Sequence, residues 1–189
     1  MTGFTQDQLG WQPWLAPLTP DELTDEHREA LVDKARAASP YFRLLARDPD
    51  VLHARTQTDL DIFHNADGGL PRAERELAAT ATSRRNGCVF CASVHARFAA
   101  HHAKRPADVQ RLLDEGVDAA QEGTWRAVID ASVALAATPA ELRPEHIAAL
   151  RAAGLDDLAV SDAIHAAAFF NWANRLMLSL GEPTREADE

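Results

Sequence analysis

The chain has 189 residues, a hydrophobic fraction of 46 % and a formal net charge of −10 at pH 7. That length suits one domain, or a domain with a short arm, with enough apolar residues for a sizeable core. The negative balance argues against nucleic acid or an anionic membrane surface as partner, because phosphates would be repelled.

Alanine is abundant while β-branched and aromatic residues are sparse, which favours an all-α protein. No apolar run reaches the roughly 18 residues of a membrane span, so none is expected. The opening Met1-Thr2-Gly3-Phe4-Thr5-Gln6-Asp7 has no basic region followed by an apolar one, unlike a secretory signal. The expected location is the cytoplasm, where a two-cysteine chain points to redox or metal chemistry rather than a structural staple.

Residues 1–18 carry Phe4, Trp11, Trp14, Leu15 and Leu18, broken by Gly10, Pro13 and Pro17. They read as an arm packed on the body or on a neighbouring subunit, with a plain covering loop as the alternative. An all-helical domain is expected over 19–183 and an acidic tail over 184–189. Thr19-Pro20-Asp21-Glu22 combines a cap residue, a proline at the first helical position and a glutamate behind it, which predicts a helix from there to Ala38. Ser39-Pro40 ends it. A short helix is predicted over Tyr41–Arg47, and Asp48-Pro49 opens another through Phe63. Asn65–Gly69 is a turn.

Leu70-Pro71 introduces a helix from Arg72 to about Arg85, with Leu77, Ala78 and Ala81 inward, and a cysteine helix follows from 88 to about 103. Pro106 starts a short helix carrying Val109, Leu112 and Leu113, stopped by Gly116. Gly123-Thr124 starts the next, with Trp125, Val128, Ile129 and Ser132 as its stripe. Pro144 opens another. The last runs from Asp156 to about Leu180, with Leu158, Ile164, Ala168, Trp172, Leu176 and Leu180 expected on or near one face, Phe170 and Met177 widening it, and His165 as a core histidine. The total is about eight or nine helices and no convincing strand.

Both cysteines lie in Asn86-Gly87-Cys88-Val89-Phe90-Cys91-Ala92-Ser93-Val94-His95. Asn86-Gly87 is a break, so Cys88 and Cys91 are placed in the first turn of a helix, and with His95 they fall at i, i+3 and i+7 on one face. Sulfurs one turn apart are within disulfide reach, and so small a closed loop adds little stability, which suits turnover better than structure. The helix N-terminus favours a thiolate at Cys88, whereas the histidine favours Cys91. Spacing leaves open which of them attacks. Two other readings are a zinc site completed by His101, His102 or an acid, and a pair of inert core cysteines. His101 and His102 otherwise read as a solvated helix end.

Glu76, eleven residues, Cys88-Val89-Phe90-Cys91, three residues and His95 together resemble the Glu-x11-Cys-x-x-Cys-x-x-x-His signature of the alkylhydroperoxidase D branch of the carboxymuconolactone decarboxylase superfamily. Phe170-Asn171-Trp172-Ala173-Asn174-Arg175-Leu176, with Leu180-Gly181, resembles that branch's last helix. The resemblance spans about residues 40–182, and the arm at 1–18 is similar to that of an uncharacterised peroxidase-related subgroup.

The resemblance implies an AhpD-like helical bundle that assembles into dimers, trimers or hexamers, and it implies peroxide reduction. Cys91 is then the attacking thiolate, Cys88 the resolving thiol, His95 the base for Cys91, and Glu76 the residue that orients or recharges the proton relay. Without the resemblance, Glu76 reads as a surface partner of Arg72 or Arg75, and Glu74 as the more exposed acid. The best-known members of that branch carry a second histidine two residues after the first cysteine, where this chain has Phe90, so one relay step is missing. Phe90 instead packs or lines an apolar substrate entry. The decarboxylase branch lacks the paired cysteines, which makes lactone decarboxylation the weaker reading. No nucleotide or flavin motif is present, so no cofactor is expected and a dithiol partner must supply electrons. The alternative from another class is a redox-responsive adaptor whose dithiol cycles without fast peroxide turnover.

Overall fold

The computed structural model describes residues 3–185. Among them lie nine α-helices: α1 (Asp25–Ala30), α2 (Pro40–Leu45), α3 (Pro49–His64), α4 (Arg72–Asn86), α5 (Val89–Ala103), α6 (Pro106–Glu115), α7 (Gly123–Ala136), α8 (Pro144–Ala152) and α9 (Asp157–Leu180). The all-α class follows from residue choice. The helix interiors are built from alanine, leucine, arginine and glutamate, and proline is confined to first turns.

Helix α4 is the centre of the molecule. Every residue from Arg75 to Ser83 is buried, and its neighbours are α5, α7 and α9. A helix buried all round needs small side chains, and Ala78, Ala79 and Ala81 let the surrounding helices approach closely. Leu77, fully buried, contributes about 1.5–3 kcal/mol by leaving water. The start of α4 is tied to α9, because the Leu70 N–H donates to Asp162 Oδ2 at 2.9 Å. Gly69 lies so close that a Cβ there would stand 2.6 Å from the Ala159 nitrogen.

Two expectations change at the ends of the chain. The helix predicted from Pro20 to Ala38 is three pieces: a 3-10 turn at Pro20–Glu22, α1, and a 3-10 turn at Lys34–Ala38. Thr24 restarts the helix by capping His27 N–H, and Val32 adopts a left-handed φ of 63°, which an α-helix cannot pass through. The second change is a short antiparallel pair, β1 (Gly10–Pro13) with β2 (Gly181–Thr184). Four-residue segments rich in glycine and proline give no alternating pattern, so no strand was legible there. Trp11 of β1 packs edge-on against Tyr41, with centroids 5.5 Å apart. Residues 1–2 of the expected arm and 186–189 of the expected acidic tail lie outside the described residues.

The last helix also turns a different face inward. Its buried residues are Ala159, Val160, Ala163, Ala166, Ala167, Phe170, Ala173, Asn174 and Met177. Leu158, Ala168 and Trp172, expected inside, are exposed, as is His165. Packing on the alanine-rich α4 selects small residues for the contact, so the larger side chains do not mark the inner face. Among the described residues, no helix is long and apolar enough to cross a membrane.

Candidate active site

Helix α4 ends at Gly87, whose φ of 81° is the left-handed turn that glycine adopts at no steric cost. The N–H groups of Gly87 and Cys88 both reach the Ser83 carbonyl, so the chain reverses tightly into α5. Cys88 therefore caps α5 from just outside, and its carbonyl accepts from Ala92 N–H at 2.9 Å. Cys91 sits one turn further on. Both cysteines are buried and free.

The two sulfurs face different surroundings. Cys91, with His95 and Phe98 at four- and seven-residue offsets on α5, lines a cavity of about 310 Å³. Helix periodicity builds the other walls in the same way: Arg55, Asp59 and Phe63 from α3, Arg72 and Glu76 from α4, and Phe170, Ala173 and Met177 from α9. Cys88 does not line this cavity. It lies next to Cys91, and the completely buried Asn174 neighbours both sulfurs. Asn174 is fixed in turn, donating to Ser83 Oγ at 3.0 Å and accepting from Asn86 Nδ2 at 3.1 Å.

The sulfur pair shares its proton unequally. Cys88 is held below the ordinary thiol value by the neighbouring Cys91 thiol and backbone N–H and by Asn174. Cys91 is pushed well above that value by the neighbouring Cys88 sulfur and by burial. The first proton to leave the pair therefore leaves Cys88, as the helix-end argument favours.

His95 is almost fully buried, stacked on Phe63 at 5.1 Å and edge-on to Phe170 at 4.0 Å. Its Nδ1 lies 2.5 Å from Glu76 Oε2. Burial alone would raise the Glu76 carboxyl, but His95 and then Arg72 outweigh it and hold it below its ordinary value. Glu76 is thus a carboxylate, and Nδ1 must be the donor. That leaves Nε2 as the second ring nitrogen of a residue lining the cavity. No hydrogen bond joins His95 to Cys91 among the described residues; the polar groups next to the Cys91 thiol are Cys88 and Asn174.

Glu76, only 1 % exposed, is no surface acid. It accepts from Arg72 Nε at 2.6 Å while holding His95, and Arg72 also donates to the Phe63 carbonyl. Arg75 goes elsewhere, to the carbonyls of Ile62 and Asn65. Glu74 accepts from Trp125 Nε1 at 3.1 Å. Phe90 lines the cavity beside Cys91, and His101 and His102 are exposed near the far end of α5. Among the described residues, no three His, Cys, Asp or Glu side chains converge to hold a metal ion.

Sequence reasoning missed Asn174, Arg55 and the site role of Arg72. The Arg72–Glu76 and Arg55–Asp59 spacings of i and i+4 were visible, but such pairs most often lie on surfaces. Asn174 had one signal, a polar residue on an inward helical face.

Residues 49–134 match the carboxymuconolactone decarboxylase family. A comparison with curated proteins finds no match. Among solved structures, the chain is similar to an alkylhydroperoxidase AhpD core, an uncharacterized peroxidase-related protein from Ralstonia eutropha JMP134, at 25 % identity and TM-score 0.73 over 88 % of each chain. An uncharacterized peroxidase-related protein from Silicibacter sp. TM1040 aligns at 22 % identity and TM-score 0.76, over 92 % of this chain and 93 % of that one. The debrominase Bmp8 shares the fold at 18 % identity and TM-score 0.70, over 88 % and 89 %. The central segment thus matches the carboxymuconolactone decarboxylase family, and the fold is the all-α fold of these AhpD-like structures.

Proposed function

We propose that the protein is a thiol-dependent peroxidase that reduces an organic hydroperoxide inside the α3–α4–α5–α9 cavity. One observation carries this reading: Cys91 and the Glu76-held His95 line the same cavity, with the second sulfur a neighbour of Cys91 outside the lining. The peroxidase-related names of two structural neighbours agree with it.

The roles follow from position. As Cys91 attacks the terminal peroxide oxygen, its proton passes to the neighbouring Cys88 sulfur. The S–O bond forms, the O–O bond breaks, and the alkoxide leaves. His95 delivers a proton taken from solvent to that alkoxide, while Glu76 fixes the ring's orientation. Cys91 is now a sulfenic acid. Cys88 displaces its hydroxyl, which leaves as water with the Cys88 proton, and the two sulfurs are joined as a disulfide. One hydroperoxide, one dithiol sharing a single proton and one further proton give one alcohol, one water and one disulfide. An external dithiol restores the pair by exchange. The protein acts without a bound cofactor, in the cytoplasm, and as a homo-oligomer.

The test is steady-state consumption of cumene hydroperoxide with dithiothreitol as electron donor. Wild-type protein should turn over repeatedly, and Cys91→Ser should fall to the uncatalysed rate. Equal rates for the two proteins would overturn the assignment.

A further inference from the structure

The cavity is lined by two different sets of charges. Arg72 and Glu76 neutralise each other around His95. In the second set two arginines share one carboxylate: Asp59 lies 3.3 Å from Arg55 and 3.9 Å from Arg36, which stands outside the lining. This second set carries a net positive charge.

Arg55 is the residue that brings this charge to the cavity wall. Its side chain is only 8 % exposed, yet it lines the same cavity as Cys91. Its Nε is buried and has no hydrogen-bond partner among the described residues. The guanidinium is clamped between the rings of Phe42 and Phe169, at 5.4 Å from each centroid, so it cannot swing out to solvent. Beside it stands Tyr41, whose phenol burial pushes up to about 12, so it remains a neutral O–H donor. Ser39 completes this wall. A buried cation with an unused donor and neighbouring hydroxyls matches a carboxylate, which accepts from guanidinium and hydroxyl alike.

From this wall we infer that the cavity selects substrates bearing a carboxylate, held by Arg55 with Tyr41 and Ser39, and an apolar body that reaches Cys91. The binding site stands on its own geometry, and only the reacting group, a hydroperoxide, rests on the proposed peroxidase reading.

Binding is measured by calorimetry on the full-length protein, with octanoate and its neutral isostere octanamide as probes. Octanoate should bind about tenfold tighter or better, the scale of one charge-assisted interaction. Arg55→Gln should abolish that preference. Asp59→Asn should enlarge it severalfold by removing the competing carboxylate. Because the two substitutions act in opposite directions, a damaged fold cannot imitate both. Equal binding of the two probes, absence of octanoate binding, or an unchanged preference in Arg55→Gln would overturn the inference. In the kinetic arm, a carboxylate-bearing hydroperoxide should exceed its methyl ester in kcat/KM. Octanoate selectivity without peroxide turnover would sink the peroxidase reading alone, while turnover without selectivity would sink only this one.

Discussion

The two sides of the cavity are built on different principles. The α4–α5–α9 side is continuous helix, its backbone groups satisfied internally and its packing set by alanines around Leu77 and Phe170. The opposite side joins α3 to a stretch ahead of it, from Pro20 to Asp48, made of short helical pieces whose carbonyls are gathered by arginines. Arg43 donates to the carbonyls of Leu18, Ala37 and Ala38, Arg47 to Ala16, and Arg28 to Pro20. The regular side holds the thiols and the Glu76–His95 pair, while the other takes Arg55 and Asp59 from the 16-residue α3 and Tyr41 from the short α2. Packed helices hold side chains to within a few tenths of an ångström, whereas short pieces depend on side chains such as Arg43 to fix their backbone.

The contrast is broken most strongly at Glu76. Replacing it by Gln leaves Arg72 facing a neutral amide and His95 without its carboxylate. Peroxide turnover should fall by about a hundredfold, and stability by about 3–5 kcal/mol, as when a buried ion pair loses one member. Equilibrium denaturation and the steady-state assay read both. The linkage sign is set by the depressed Glu76 carboxyl. Its stabilisation is full above the unfolded value near pH 4.3 and is lost as pH falls through the lower folded value. The wild-type protein should therefore lose part of its advantage over Glu76→Gln in acid, seen by denaturation at pH 7 and pH 3.

Asn174→Ala comes next. It leaves Asn86 and Ser83 each short of a partner and should cost about 1–3 kcal/mol. Asn174 lowers both thiols, so its loss should move the pH midpoint of iodoacetamide alkylation upward and slow labelling at neutral pH. An unmoved midpoint would mean that the residue only fills space.

The smallest effect is expected on the irregular side. Arg43→Met removes three hydrogen bonds to backbone carbonyls and should lower stability by about 1–2 kcal/mol, with part of the loss regained by water reaching those groups. It should leave the alkylation profile of the cysteines unchanged, because the hydrogen bonds of Arg43 go to the carbonyls of Leu18, Ala37 and Ala38 and to no group beside the sulfurs. A shifted profile would show that the two sides are coupled.

These differences also explain what the sequence revealed. Helices α4 to α8 were legible because proline starts, glycine stops and apolar spacing agree there, and the cysteine stretch was legible because Gly87 marks the turn into α5. The break at Val32 was not legible, since a β-branched residue with positive φ contradicts local preference and is held there by the surrounding turns. The β1–β2 pairing depends on contacts between opposite ends of the chain. The inward face of α9 was misread because large apolar residues drew attention from the alanines that touch α4. The surroundings of the two sulfurs needed three dimensions: the fold puts Cys91 on the cavity wall and leaves Cys88 outside the lining.

The most direct measurement traps the oxidised sulfur. Cys88→Ser protein is treated with one equivalent of cumene hydroperoxide in the presence of dimedone, then digested and analysed by mass spectrometry. A dimedone adduct on Cys91, alongside a Cys88–Cys91 disulfide in wild-type protein treated without dimedone, is the predicted result. An unmodified Cys91 in the variant after the peroxide has been consumed would contradict the account.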